Sequence, residues 1–164
     1  MVPSPYSHTG DGETVGVVVV DHGSRRTEAN ELHESFIADW SATAPFAVVE
    51  PAHMELAEPS IETAFDRCVA AGATTVVVAP YFLWPGNHWS VDIPALVERA
   101  AARHPGIRYL VAAPLGPHPS LLDIVEQRVD HCLAHAEGRG PACDACAGSD
   151  GCRIVKMKPE ADSG

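Results

Sequence analysis

The run Val15-Gly-Val-Val-Val-Val-Asp-His-Gly23 constrains this chain more than any other stretch. Valine is β-branched and stiff about χ1, so a string of valines favours extended backbone. The apolar character is continuous rather than alternating, so both faces of the strand are buried. That pattern belongs to the centre of a parallel sheet with helices on either side. The run closes on Asp21-His22-Gly23-Ser24. A histidine at the carboxyl end of a buried strand, followed at once by glycine, falls where open α/β sheets bind their ligands.

The rest of the chain alternates. Residues 27–43 predict a helix capped by Thr27, with Leu32, Phe36, Ile37 and Trp40 on one face and Pro45 beyond its end. Residues 46–54 predict a second strand; Pro51 cannot donate to a ladder, which suits a sheet edge. A second helix, 59–71, turns Ile61, Ala64, Phe65, Cys68 and Val69 inward and stops at Gly72 in a left-handed cap. Residues 74–79 form a third, continuously apolar strand. Residues 90–103 form a helix with Ile93, Leu96, Val97 and Ala100 inward, and 107–112 a fourth strand. Past a turn with three prolines, 120–135 form a fourth helix carrying Leu121, Leu122, Val125, Val129 and Leu133. Strand then helix, four times, predicts an α/β fold: a doubly wound, four-stranded parallel sheet in the order 2-1-3-4. The division expected is a disordered leader at 1–14, an α/β domain at 15–136 and a Cys-rich tail at 137–164.

Charge excludes some functions. Asp plus Glu number 22 against 11 Lys plus Arg, a net charge of -11. Nucleic acid and anionic membrane surfaces both call for a basic face that this balance does not supply. No apolar run approaches the roughly 20 residues of a membrane span. Residues 1–14 lack the basic start and apolar middle of a signal peptide, so the expected location is cytoplasmic. Of five cysteines, Cys143, Cys146 and Cys152 crowd into ten residues. In a reducing compartment such crowding favours metal or cluster ligation over disulfides.

The topology brings distant polar groups to one mouth. His22 follows strand one, and His88 ends the loop Pro80-Tyr-Phe-Leu-Trp-Pro-Gly-Asn-His after strand three. Glu50, His53 and Glu55 lie at or just after the end of strand two. Two imidazoles and a carboxylate around an open cleft suit a divalent metal with free positions, or proton removal near neutral pH. Plainer roles exist for each: His22 as a polar strand end, His88 as a loop residue held by Asn87, Glu55 as a solvated turn. His8, His33, His104 and His135 are expected on the surface. Tyr81-Phe82-Leu83-Trp84, with Trp89 near, can wall a flat apolar ring. Arg25 and Arg26 can meet carboxylates at the rim. The chain has no Gly-x-Gly-x-x-Gly after strand one and no Walker sequence. A histidine phosphatase would need Arg before the His, where Asp21 stands.

Three segments, Val19-Val-Asp-His-Gly-Ser-Arg-Arg, His53-Met-Glu-Leu-Ala-Glu-Pro-Ser-Ile61 and Val78-Ala-Pro-Tyr-Phe-Leu-Trp-Pro-Gly-Asn-His-Trp-Ser-Val-Asp-Ile-Pro94, resemble the small class II chelatases of the CbiX and SirB type. The resemblance spans roughly residues 15–135. It implies insertion of a divalent metal, Fe2+ foremost and Co2+ next, into sirohydrochlorin, toward siroheme or cobalamin. It further implies a homodimer, with His22 and His88 as metal-site histidines that share catalysis with Glu55. Ser24, Arg25, Arg26, Tyr81, Phe82, Leu83 and Asn87 would contact the tetrapyrrole. The tail resembles the iron–sulfur extension of plant-type ferrochelatases. Cys143, Cys146 and Cys152, with Cys132 or a partner's thiol as fourth ligand, would hold a [2Fe–2S] or [4Fe–4S] cluster, zinc being the other candidate. A metal-carrying or redox-sensing protein without turnover is the alternative reading.

Overall fold

The valine run is β1, Val15–Asp21, the strand on which the other elements assemble. In the computed structural model, which describes residues 12–143, one unit ends at Pro117 and a second begins at His118. In the first unit β1 is followed by α1 (Thr27–Ser41), β2 (Val48–His53), α2 (Ile61–Ala70) and β3 (Thr75–Pro80). A π-helical turn, His88–Asp92, then runs straight into α3 (Ile93–Ala101), and β4 (Arg108–Val111) completes the sheet. The sheet order is β2-β1-β3-β4, every pair parallel. Pro51 lies in the edge strand, where its missing N–H costs least. The register sets Asp21 opposite His53 and Val20 opposite Pro80, so the three carboxyl ends share one rim.

Two apolar layers flank β1. On one face Val18, Val20, Val76 and Val78 pack against Ile61, Phe65 and Cys68 of α2 and Ile93 and Val97 of α3. On the other, Val17 and Val19 meet Ile37 and Val49. Gly16 interrupts the valines because α2 sits close: a Cβ there would lie 2.9 Å from the Cys68 Cβ and 3.1 Å from the Ala73 Cβ. Gly72 stops α2 at φ +93°, as expected. Glu13 and Thr14 are tied to β3: the Glu13 carboxylate accepts from the Thr75 hydroxyl at 2.5 Å, and Thr14 N donates to Thr74 Oγ1 at 3.0 Å. Among the described residues no helix is long and apolar enough to cross a membrane.

The fold corrects three expectations. The inward stripe of α1 is Asn30, His33 and Ile37, while Leu32 and Phe36 are 72% and 55% exposed. Polar anchors set this rotation. The Asn30 amide exchanges two 2.9 Å bonds with the Ser24 backbone, and His33 Nε2 lies 3.2 Å from the Val19 carbonyl. His33 is therefore buried, not on the surface. The expected third helix splits, its first turn adopting π geometry. The expected fourth helix forms as α4 (Pro119–Ala136) of the second unit; no residue of it is buried, and Leu122, Val125, Val129 and Leu133 are all exposed. Periodicity reports an apolar stripe, not what covers it.

A groove of about 440 Å³ lies on the α1 side of the sheet, lined by Val15, Val17, Trp40, Val77 and Leu110. These positions lie mainly toward the starts of the strands, at the end opposite His22.

Candidate functional site

His22 and Glu55 follow directly on strand ends, and His88 on the loop after β3. After Asp21 the chain turns at Gly23, φ +80°, whose N–H donates to Asp21 Oδ1 at 2.9 Å. A Cβ on Gly23 would fall 1.9 Å from the Glu55 carbonyl oxygen, so only glycine fits. The ladder between β1 and β2 continues past both strands: Met54 N donates to Asp21 O and Glu55 N to His22 O. Leu56 then takes φ +68°. Those bonds bring Glu55 alongside His22, where Oε1 lies 3.0 Å from His22 Nε2. His22 Nδ1 lies 3.1 Å from the Gly23 carbonyl. A carbonyl can only accept, so Nδ1 carries a hydrogen. Both ring nitrogens thus face acceptors, and the space between Nε2 and Glu55 suits a cation, whether proton or metal ion.

His88 enters from β3. Tyr81 N donates to Val20 O at 2.7 Å, and Leu115 N to Phe82 O at 2.8 Å, pinning the loop. The π turn then presents His88, with Nδ1 2.8 Å from Asp92 Oδ2. The His88 ring stands 5.2 Å from the His22 ring and 6.2 Å from Phe82. Side chains of His22, Glu55 and His88 are each about half exposed, at 42%, 52% and 49%. Among the described residues no three His, Cys, Asp or Glu side chains are gathered into a ready-made ion site.

Beneath His22 lies a second polar cluster. His53, fully buried, sets Nδ1 2.6 Å from Asp21 Oδ1 and Nε2 3.5 Å from Glu34 Oε1. His33 Nδ1 is 3.9 Å from Asp21 Oδ2. Asp21 thus ties β1, β2 and the Gly23 turn together.

Of the residues singled out in the sequence, His22, His88 and Glu55 converge, with Phe82 beside them. Tyr81 packs against His33 and Phe36 at ring distances of 5.7 and 6.2 Å. The Ser24 hydroxyl accepts from Arg26 N at 3.1 Å. Arg25, Arg26, Leu83 and Asn87 are exposed, and Arg26 lies 3.9 Å from Glu28. Three side chains serve otherwise than expected. Glu50 turns to Arg67 at 3.3 Å, Trp89 donates to the Ala112 carbonyl at 2.9 Å, and Asn87 makes no capping bond while Asp92 holds His88. His104, expected on the surface, keeps its side chain only 23% exposed, stacked on Phe65 and 2.6 Å from Asp66. Sequence reasoning missed Asp92 and the Asp21–His53 pair. The i, i+4 spacing of His88 and Asp92 was the available signal for the first. The second needed the strand register.

The family model CbiX matches residues 16–132. The chain is 52% identical over 145 residues to the chloroplastic sirohydrochlorin ferrochelatase of Arabidopsis thaliana, covering 88% of this chain and 64% of that protein. Its fold matches the sirohydrochlorin chelatase SirB from Bacillus subtilis subspecies spizizenii in complex with cobalt, TM-score 0.68 at 35% identity, over 71% of this chain and 50% of that one. It also matches the CbiX protein from Marinobacter aquaeolei, TM-score 0.64 at 30% identity, over 74% of this chain and 98% of that one. The chain spans between 43% and 64% of the length of the first curated relatives it matches.

Proposed function

The chain belongs to the CbiX family, and on that premise we propose that it inserts a divalent metal ion into sirohydrochlorin, ferrous iron first and cobaltous ion second. The observation that carries this reading is the meeting of His22, Glu55 and His88 at one rim of the sheet. Insertion of M2+ expels two pyrrole N–H protons, so charge balances when nearby bases accept them. Imidazole and carboxylate serve as ligands for a first-row ion and as bases near neutral pH. A loose, half-exposed donor set suits an ion that must be handed on rather than kept. Phe82 and Tyr81 offer aromatic surface for the macrocycle, together with Leu83 and Asn87. Arg25, Arg26 and the Ser24 turn offer groups for its carboxylates. The Arabidopsis relative's name supports iron, and the cobalt complex of SirB supports cobalt. Siroheme or cobalamin synthesis would be the corresponding destination.

Anaerobic incubation with sirohydrochlorin and Fe2+ or Co2+, followed by absorption spectroscopy, tests the reading. Turnover above the metal-only rate supports it. Tight metal binding without insertion favours the second reading, a metal-carrying or redox-sensing protein.

Three further elements belong to this proposal. Cys132 is exposed and Cys143 buried, and both lie in the same unit. Cys146 and Cys152 lie outside the described residues; with Cys132 and Cys143 they would make the four thiolates an iron–sulfur cluster takes. The visible spectrum of anaerobically purified protein distinguishes a cluster from colourless zinc. A homodimer would cover the exposed apolar stripe of α4, which supports that part of the reading; light scattering tests it. A reducing compartment keeps ferrous iron and thiols in usable form, which supports a cytoplasmic location, although the Arabidopsis protein's name assigns that relative to the chloroplast.

A further inference from the structure

The two site histidines are held by different means. His22 gives Nδ1–H to a backbone carbonyl, that of Gly23 at 3.1 Å. His88 instead faces a carboxylate, with Nδ1 2.8 Å from Asp92 Oδ2. Both members of the second pair are about half exposed, at 49% and 47%. A surface pair of this kind adds little to stability, so its consequence lies in orientation. The backbone arranges it: Ile93 N–H bonds His88 O across the π turn, and Ser90 N bonds Gly86 O at 3.0 Å. π turns often sit at functional sites.

A neutral imidazole has one N–H and one lone pair. With Nδ1–H directed at Asp92, the lone pair stands on Nε2, and among the described residues no group hydrogen-bonds that nitrogen. A carboxylate behind a ligating histidine also raises its basicity, and losing such a partner typically costs 10–100-fold in metal affinity.

We propose that Asp92 is a positioning residue: its carboxylate locks His88 as the Nδ1–H tautomer and leaves Nε2 to take the incoming metal ion, an inference that rests on the chelatase reading above. His88 is thereby the carboxylate-backed ligand, and His22, backed by a weaker carbonyl acceptor, shares its Nε2 with Glu55.

The test uses the full chain labelled with 15N at histidine, at alkaline pH. Long-range 1H–15N correlation reads the His88 tautomer, and titration with Co2+ alone reads affinity. The wild type should show a protonated Nδ1. Asp92→Ala should lose that state and weaken Co2+ binding roughly 10–100-fold, with an unchanged circular-dichroism spectrum. Asp92→Asn, which keeps an acceptor oxygen, should restore the tautomer. The inference is overturned if His88 is Nε2–H in the wild type, or if Asp92→Ala changes neither tautomer nor affinity. A wild type that binds no Co2+ overturns the metal-site reading and the ligand half of the inference. The nitrogen shifts still decide separately whether Asp92 sets the tautomer.

Discussion

The imidazoles of His22 and His88 stand 5.2 Å apart, centre to centre, with their planes at 74°. They come from the ends of β1 and β3, adjacent strands in space with a whole crossover unit between them in sequence. Glu55, delivered from the other neighbour of β1, closes the group at 3.0 Å from His22. The rim where three parallel strands end thus makes a site from residues that sequence distance keeps apart.

Gly23 is the hinge of that arrangement. Its φ of +80° is costly for any other residue, and a Cβ would collide with the Glu55 carbonyl at 1.9 Å. Gly23→Ala should destabilise the fold by more than about 1 kcal/mol and displace Glu55 from His22. Thermal denaturation alongside Co2+ titration checks this; a variant matching the wild type in both would refute the packing described.

Asp21 is the acceptor on which the buried histidine depends. Asp21→Ala leaves His53 Nδ1 without its 2.6 Å partner and frees the Gly23 N–H. Stranding a buried donor costs roughly 1–3 kcal/mol. Urea unfolding should show a loss of that size, and Asp21→Asn, which retains an acceptor oxygen, a smaller one.

Asp66 makes stability depend on pH. Partial burial would raise its carboxyl, but hydrogen bonds from His104 and Arg103, both at 2.6 Å, hold it below the ordinary value of 3.8. The unfolded chain therefore binds the proton more readily. The stabilisation is present above about pH 3.8 and disappears as pH falls from there through the lower folded value. Asp66→Asn should flatten the acid limb of a stability-versus-pH curve; an unchanged limb would exclude this carboxyl as a contributor.

Cys68 should be chemically silent. Burial, with a lesser contribution from the Glu50 charge, pushes its thiol up to about 12, and reactivity needs the thiolate. Alkylation of the native protein at mildly alkaline pH, mapped by mass spectrometry, should spare Cys68 until denaturant is added. Labelling of Cys68 at the rate of exposed Cys132 would contradict its place in the core.

Much of this was legible in the residues. Continuous valines in β1 and β3 dictated central parallel strands, Pro51 an edge, and His22 a strand end at the topological switch point. The face of α1 was legible in part. Apolar periodicity chose Ile37 and Trp40, which do pack on the sheet, but also Leu32 and Phe36, which are exposed; the bonds from Asn30 to the Ser24 turn and from His33 to β1 set the rotation, and such bonds leave no periodic trace. The Asp21–His53 pair was hidden for a related reason, because it exists only once β1 and β2 fall into register. Asp92 was recoverable from its i, i+4 spacing to His88, but only had the turn been read as helical. The apolar residues of α4 show the converse: their helical spacing was read correctly, yet none of them is buried.

The central claim is that His22, His88 and Glu55 together carry metal into the macrocycle. The most direct measurement is the initial rate of anaerobic Fe2+ or Co2+ insertion into sirohydrochlorin by His22→Ala beside the wild type. Loss of a base and ligand at the reacting centre predicts a fall of roughly 100-fold or more, with folding intact by circular dichroism. A His22→Ala protein as fast as the wild type would contradict it.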